Sequence, residues 1–519
     1  MLAAVLLCAW SAPARAEWFA VSSDHFVIYG EGKESSMRRF SEQLELFHNA
    51  MAQVSGRKEQ VPSPSNRVTI FIVDSARQVQ SLAREDQKRS ALRGFYRSRA
   101  GASIAVVPRV TGGTEDIFDP SMVVLLHEYA HHFLLSTNAY ALPRWVSEGA
   151  AEFFASASFG RNGSVQIGKP NKHRSLELAY AKDVTALDLL DPESYEKRRA
   201  RDKGYDAFYG KSWALYHYLN MGRVRDGQLG RYLALMRAGK TSRDAAIEAF
   251  GDLKQLEKEL DAYLKKPRLL AYDFKPGQIS AGPISLRQLS AGEAAIMPVM
   301  IRSRVGVTAE EAKQVLVDAR RIAAPYKDDA AVLTALAEAE FDAGNDTEAL
   351  AAAEAALKLA PNLVNAHVQK GYALFRMAEA ASNPAAFRKA RAAWVALNRI
   401  ENDHPLPLIY FYRSIRAQGD RPTPLSIDGL ARAAELAPYD LGLRMTLAMQ
   451  LLEDGRQDLA RLHLQPVATN PHAGGLARHA QRMIDRLDRE PDWRGQEPAA
   501  ASDDEAGDAA NGPPSAIGL

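Results

Sequence analysis

His127 and His131 stand four residues apart in an apolar stretch that runs from Met122 to Leu135, and Glu128 follows the first of them. On a helix, residues four apart share a face, so the two imidazoles can hold one cation together while the glutamate reaches a water beside it without being a ligand. Asp119 followed by Pro120 predicts where that helix begins, with an N-cap acceptor and then a proline at the first helical position. A second segment, Leu142 to Glu152, opens as a helix at Pro143 and carries Glu148 and Glu152 four apart. Two histidines and a glutamate, with a water completing the set, is an established arrangement for hydrolytic zinc, which makes Glu148 the expected third ligand. A buried, merely structural pair of histidines is the plainer alternative, and the second segment weighs against it.

The succession His127-Glu128-x-x-His131 and Trp145-x-x-Glu148-Gly149-x-x-Glu152 resembles the gluzincins, the thermolysin-like and aminopeptidase N-like metallopeptidases, and among them the bacterial peptidase MA-like group. The resemblance covers about residues 17 to 268 and is strongest near these motifs. It implies an α+β zincin-like metallopeptidase domain, zinc (Zn2+) on His127, His131 and Glu148, and Glu128 as general base. It further implies that Glu152 orients a ligating histidine from outside the ligand shell. Tyr209-Gly210-Lys211-Ser212 is similar to the Tyr-Glu-Lys-Gly helix start of the aminopeptidase N-like enzymes, whose tyrosine donates a hydrogen bond to the tetrahedral oxyanion. That role falls on Tyr209, with Tyr205 as the fallback; Gly210 and Ser212 depart from the family's glutamate and glycine. The plain reading of the same stretch is an aromatic-rich amphipathic helix.

Other tempting residues carry less. His132 points about 100° away from its neighbour around a helix, which predicts packing or surface rather than a ligand. His217 lies in an aromatic helix and reads as core, and Arg144 reads as a surface helix start, although it could meet a substrate carboxylate. No Gly-x-Ser-x-Gly elbow, P-loop or dinucleotide-binding glycine pattern competes.

The elements that must hold these groups are legible in outline. A chain of 519 residues predicts two to four domains, and a net charge of +2 gives no electrostatic case for nucleic acid. His25–Tyr29, Arg67–Val73 and Ser103–Val107 read as strands, and Ser35–Val54 has helical periodicity. The strand at Ser103–Val107 precedes the histidine helix; the family resemblance implies that it is an edge strand, able to bind a substrate backbone by strand addition, while a plain core strand is the alternative. Helical segments follow around residues 205 to 266, and residues 269–302, rich in proline and glycine, read as a linker. From 303 to 490 the chain is alanine-rich, with Ala337, Gly344, Ala349, Ala356 and Pro361 at tetratricopeptide spacing, and Gly455, Ala460 and Pro471 repeating part of it. Gly371 and Pro438 mark degenerate copies between, so about four helical hairpins of an all-α TPR-like superhelical domain are expected, with a non-repeating bundle as the alternative. Residues 491–519 read as a disordered acidic tail.

Residues 1–16 are apolar and end in Ala14-Arg15-Ala16, which reads as a secretory signal cut before Glu17, although no Lys or Arg precedes Arg15. The stretch is short for a bilayer span, and no other window is apolar enough for one. The single cysteine, Cys8, falls inside it, so the mature chain would have no thiol and no disulfide, and would bind metal through imidazole and carboxylate. The expected location is extracytoplasmic, the bacterial periplasm or the medium. The expected function is an exported zinc-dependent peptidase acting on a peptide or protein substrate, with repeats that recruit a protein partner. The absence of a Gly-x-Met-x-Asn amine-binding motif favours endopeptidase action. The rival reading is a non-catalytic TPR scaffold with a vestigial or structural zinc domain, and a hydrolase of a non-peptide amide is a third.

Overall fold

The computed structural model describes residues 17–58, 61–84, 92–109, 119–138, 140–170, 172–180, 184–201 and 206–496. The expected signal segment, Tyr205 and the chain beyond 496 lie outside the described residues. What is described is a mixed α/β region followed by a region of helical repeats.

The strands are β1 (Trp18–Ser22), β2 (Phe26–Glu31), β3 (Val68–Val73), β4 (Phe95–Arg97), β5 (Ile104–Pro108), β6 (Ser158–Phe159), β7 (Val165–Ile167), β8 (Tyr272–Phe274) and β9 (Ser285–Gln288). One sheet runs β4-β5-β3-β2-β1-β9 and a small one runs β6-β7-β8. β2, β3 and β5 are mutually parallel, and the other pairs are antiparallel. A strand covered on both faces needs a near-continuous apolar run, and β5 (IAVVP) and β3 (VTIFIV), with Thr69 as its one polar residue, have it. Ile70, Ile72, Ala105 and Val107 face the helices Glu34–Val54 and Pro120–Thr137 in the main core. Phe71, Val73, Ile104 and Val106 face the other way, onto Val79 and Ala83 of the helix Ala76–Ala83 and Met297, Ile301 and Val305 of the helix Ala291–Val305.

Two sequence expectations need correcting here. The strand before the histidine helix is not an edge: β5 lies between β3 and β4, and the edge belongs to β4, whose three residues are too few to register as a periodic run. Residues 269–302 are not a linker. β8 pairs with β7, β9 extends the main sheet beside β1, and Ala291–Val305 covers the sheet's far face. Its short apolar pieces count only once distant strands receive them.

Beyond Val305 a helix, Ala309–Ala323, leads into four antiparallel hairpins: Ala330–Asp342 with Asp346–Leu359, Val364–Ala381 with Pro384–Ile400, Pro405–Ala417 with Pro424–Leu436, and Leu441–Glu453 with Gln457–Ala468. A final helix, Gly474–Arg489, closes the stack. Gly344 and Gly455 turn the first and last hairpins with φ of 88° and 73°, a region open to glycine. Gly371 does a different job: a Cβ there would lie 2.5 Å from the indole of Trp394, so the second hairpin closes only over a missing side chain. The disordered tail does not begin at 491, since Trp493 is buried against the last helices.

The superhelix lies along the α/β region. Ser65 donates to Glu401 through its backbone N at 2.9 Å and its hydroxyl at 2.8 Å, and Ser63 Oγ donates to the carbonyl of Asp403 at 3.2 Å. The backbone N of Ala100 donates to Asp440 at 2.9 Å, and Tyr439 donates to Asn66 at 3.2 Å while packing 4.4 Å from the His132 ring. No helix among the described residues is long and apolar enough to cross a membrane.

Candidate metal centre

The helix Pro120–Thr137 begins as its sequence demands, with Asp119 accepting from the backbone N of Ser121 at 2.8 Å and Pro120 in the first turn. It is buried almost all round, because Tyr129 and His132 pack inward as His127 and His131 do. The helix Arg144–Ala155 crosses it and contributes Glu148 from its second turn. The Nε2 atoms of His127 and His131 are 3.1 Å apart, and each is 3.4 Å from Glu148 Oε2. A tetrahedral ion with nitrogen and oxygen ligands at about 2.0–2.2 Å would space its ligand atoms by about 3.3–3.6 Å; the two histidine–glutamate edges have that spacing and the 3.1 Å histidine–histidine edge is slightly shorter, so the group is sized for a small cation. Neither oxygen of Glu148 has a hydrogen-bond partner, although the residue is fully buried, and a buried carboxylate without partners is costly unless a cation meets it.

The surrounding bonds fix which nitrogen faces the cage. His127 Nδ1 is 3.2 Å from Glu152 Oε1, and His131 Nδ1 is 3.2 Å from Ser147 Oγ, so both rings present Nε2 inward. Glu152 also accepts from Arg174 at 2.6 Å; Arg174 donates to Glu177 at 2.6 Å, and Glu177 accepts from the backbone N of Gly210 at 2.9 Å. The ligand helix is thereby tied to the start of the helix Phe208–Met221.

The charges follow from burial. Burial works against the Glu148 carboxylate, but the charge of His131 and the close approach of the His127 and His131 rings, each 3.4 Å away, hold it well below the usual carboxylate range. For His127, burial favours the neutral ring, but Glu148 and Glu152 outweigh it and raise the group to about 10. Burial raises Glu128, against the pull of His127 and His131. Its Oε1 is buried without a hydrogen-bond partner.

Tyr209 lies at this site. Arg174 stacks 5.0 Å from its ring, and burial followed by the charge of Glu148 raises its hydroxyl, against Arg144. Arg144 is more than a surface helix start, since it caps the Phe208 ring at 4.5 Å and its charge acts on the Tyr209 hydroxyl. His132 and His217 are packing groups, as expected. His132 Nδ1 and the Tyr96 hydroxyl share a hydrogen bond of 2.5 Å, and His217 bonds the carbonyls of Gly168 and Leu270 at 2.9 and 3.0 Å.

Sequence reasoning missed four residues. Ser147, next to Glu148, was open to inspection as a histidine partner. Arg174 and Glu177 carry no motif. The fourth is His472, from the turn between the last two helices, which joins His127, His131 and Glu148 in a group whose ligand atoms all lie within 4.8 Å of one another.

Residues 122–235 match a family described as "Protein of unknown function (DUF1570)". No curated protein matches the chain. Among solved structures the chain is similar to TTC0263, a thermophilic TPR protein of Thermus thermophilus, at 16% identity over 37% of this chain and 99% of that one, with a TM-score of 0.32. It is also similar to MamA, at 11% identity over 38% of this chain and 98% of that one, with a TM-score of 0.27. A monomeric mutant of IFIT1 aligns at 13% identity over 72% of this chain and 79% of that one, again with a TM-score of 0.27.

Proposed function

We propose that the chain is a zinc-dependent peptidase, with His127, His131 and Glu148 as metal ligands and Glu128 as the base. A zinc ion there would polarise a scissile carbonyl and acidify water. Glu128 takes the proton of the attacking water on its free Oε1 and returns it to the leaving amine; its raised pKa brings it nearer to neutral operation. The Tyr209 hydroxyl, backed by Arg144, donates to the developing oxyanion. The repeats, a stack of paired helices, hold a protein substrate or partner.

The observation that carries this reading is the buried Glu128 Oε1, without a hydrogen-bond partner, beside a group of side chains that could hold a metal ion. A purely structural metal needs no base. One observation favours the rival, a non-catalytic repeat scaffold with a structural zinc: His472 supplies a fourth protein donor, and four protein ligands are the mark of structural sites. The test is metal analysis of the purified chain alongside hydrolysis of a quenched-fluorescent peptide library by wild type and Glu128→Gln. One zinc per chain and Glu128-dependent hydrolysis are expected. Zinc in both proteins with identical hydrolysis would favour the scaffold.

A further inference from the structure

His472 lies more than three hundred residues from the motif helices in sequence, yet its ring packs 5.1 Å from that of His131. Its Nε2 is buried and has no hydrogen-bond partner. Glu148 Oε1, also without a partner, is 3.5 Å away, too far for a good direct hydrogen bond. This separation is close to the spacing, about 3.3–3.6 Å, of two ligands on one tetrahedral ion; it is made by Oε1, while Oε2 faces His127 and His131, and what joins the four residues in one group is that their ligand atoms all lie within 4.8 Å of one another.

The fold delivers this residue by design of the stack. Two turns that join successive hairpins, and the turn that joins the last hairpin to the closing helix, follow one another along the superhelix. The turn at 401–404 is bonded to Ser63 and Ser65, the turn at 437–440 to Asn66 and Ala100, and the turn at 469–473 comes next. Pro471 precedes His472, and the backbone N of His472 donates to Asn470 Oδ1 at 2.9 Å, which sets the direction of its side chain.

We propose that His472 is the fourth protein ligand of the metal held by His127, His131 and Glu148, so that the repeat domain closes the catalytic site in this conformation. The proposal rests on the metal reading given above. A catalytic zinc keeps one position for water or substrate, and His472 fills it. Substrate turnover then requires the last turn of the stack to swing away, while the two bonded turns before it keep the repeat domain attached. A protein bound along the repeats could shift that balance by favouring the open form.

The experiment uses the full mature chain, loaded with one equivalent of Co2+ for spectroscopy and of Zn2+ for affinity and hydrolysis. His472→Ala should keep one metal, change the visible d–d bands of cobalt, and weaken zinc in a chelator competition by at least about tenfold, a cost already typical of losing an outer partner. It should also raise hydrolysis of the peptide library, by about tenfold if the closed form outnumbers the open one by that factor. His472→Phe, which fills the space without a ligand atom, should change the spectrum and affinity in the same way and guards against a folding defect, checked by thermal melting. Unchanged cobalt bands and zinc affinity in both folded variants would overturn the proposal. So would a wild type already as active as His472→Ala. A changed spectrum with no hydrolysis by His472→Ala beyond that of Glu128→Gln/His472→Ala would leave His472 as a ligand of a structural site and defeat the peptidase reading instead.

Discussion

Gly149 follows Glu148 and offers a test in which two opposing effects can be weighed. A Cβ at this position would lie 2.4 Å from the carbonyl oxygen of Ser212, 2.8 Å from its carbon and 2.9 Å from Tyr216 Cβ. Non-bonded carbon atoms rest at about 3.5–4.0 Å, so the helices Arg144–Ala155 and Phe208–Met221 would have to separate by roughly 1 Å. The obstacle is backbone and cannot rotate aside. Overpacking of this kind costs about 1–3 kcal/mol. Replacing glycine by alanine inside a helix gains about 1 kcal/mol. The clash therefore wins, and Gly149→Ala should be destabilised by up to about 2 kcal/mol. Gly230 is the control: it lies in the helix Gln228–Arg237, and its Cβ would meet nothing within 4 Å, so Gly230→Ala should gain up to about 1 kcal/mol. The separated helices carry Glu148 and Tyr209, and a 1 Å misplacement can reduce turnover by about 10²-fold. Urea melts of the two variants, with hydrolysis of the peptide library, read both effects. A Gly149→Ala protein as stable as Gly230→Ala would refute the close approach of the two helices.

The relay behind His127 makes a second prediction. Glu152→Ala should weaken zinc by about 10–100-fold in chelator competition, with Glu152→Gln intermediate; affinity within twofold of wild type would remove Glu152 from its role. Tyr209→Phe should leave zinc affinity unchanged and reduce hydrolysis by about 10²-fold, and an effect on affinity alone would mean that the hydroxyl is structural. A protease site inserted in the exposed turn at 277–283 should give two fragments that stay together on size exclusion, because β9 and the helix Ala291–Val305 remain in the sheet; two separately folded halves would contradict that packing. His404 is buried and caps the helix Pro405–Ala417 by accepting from the backbone N of Leu406 at 3.2 Å. Burial, opposed by Glu401, lowers it to about 4. Its folded value lies below its unfolded one of about 6.5, so its contribution is complete above that pH and is lost as pH falls towards 4, at up to about 1.4 kcal/mol per unit. His404→Asn, which can cap without titrating, should flatten the fall in stability between pH 7 and 5, and an unaltered slope would count against it.

The sequence alone determined what depends on neighbours a few residues apart. The four-residue spacing of His127 and His131 puts their rings on one face of any helix, and Asp119 with Pro120 starts that helix in the right place. Glu148 and Glu152 share a helix face by the same rule, so the carboxylates that meet the two rings could be named before any fold was known, while the outer place of Glu152 came from the family resemblance. The glycines of the repeats likewise announced hairpins. Tertiary structure decided everything that joins distant pieces. β4 is an edge because β5 is paired on both sides, and residues 269–302 are structural because β1 and β7 receive their strands. Arg174 and Glu177 matter only because two helices bring them beneath Glu152 and Gly210. His472 has no motif around it and no periodic partner. Its place beside Glu148 is set by the curvature of a stack of hairpins, a sum of many packing angles that no local spacing encodes.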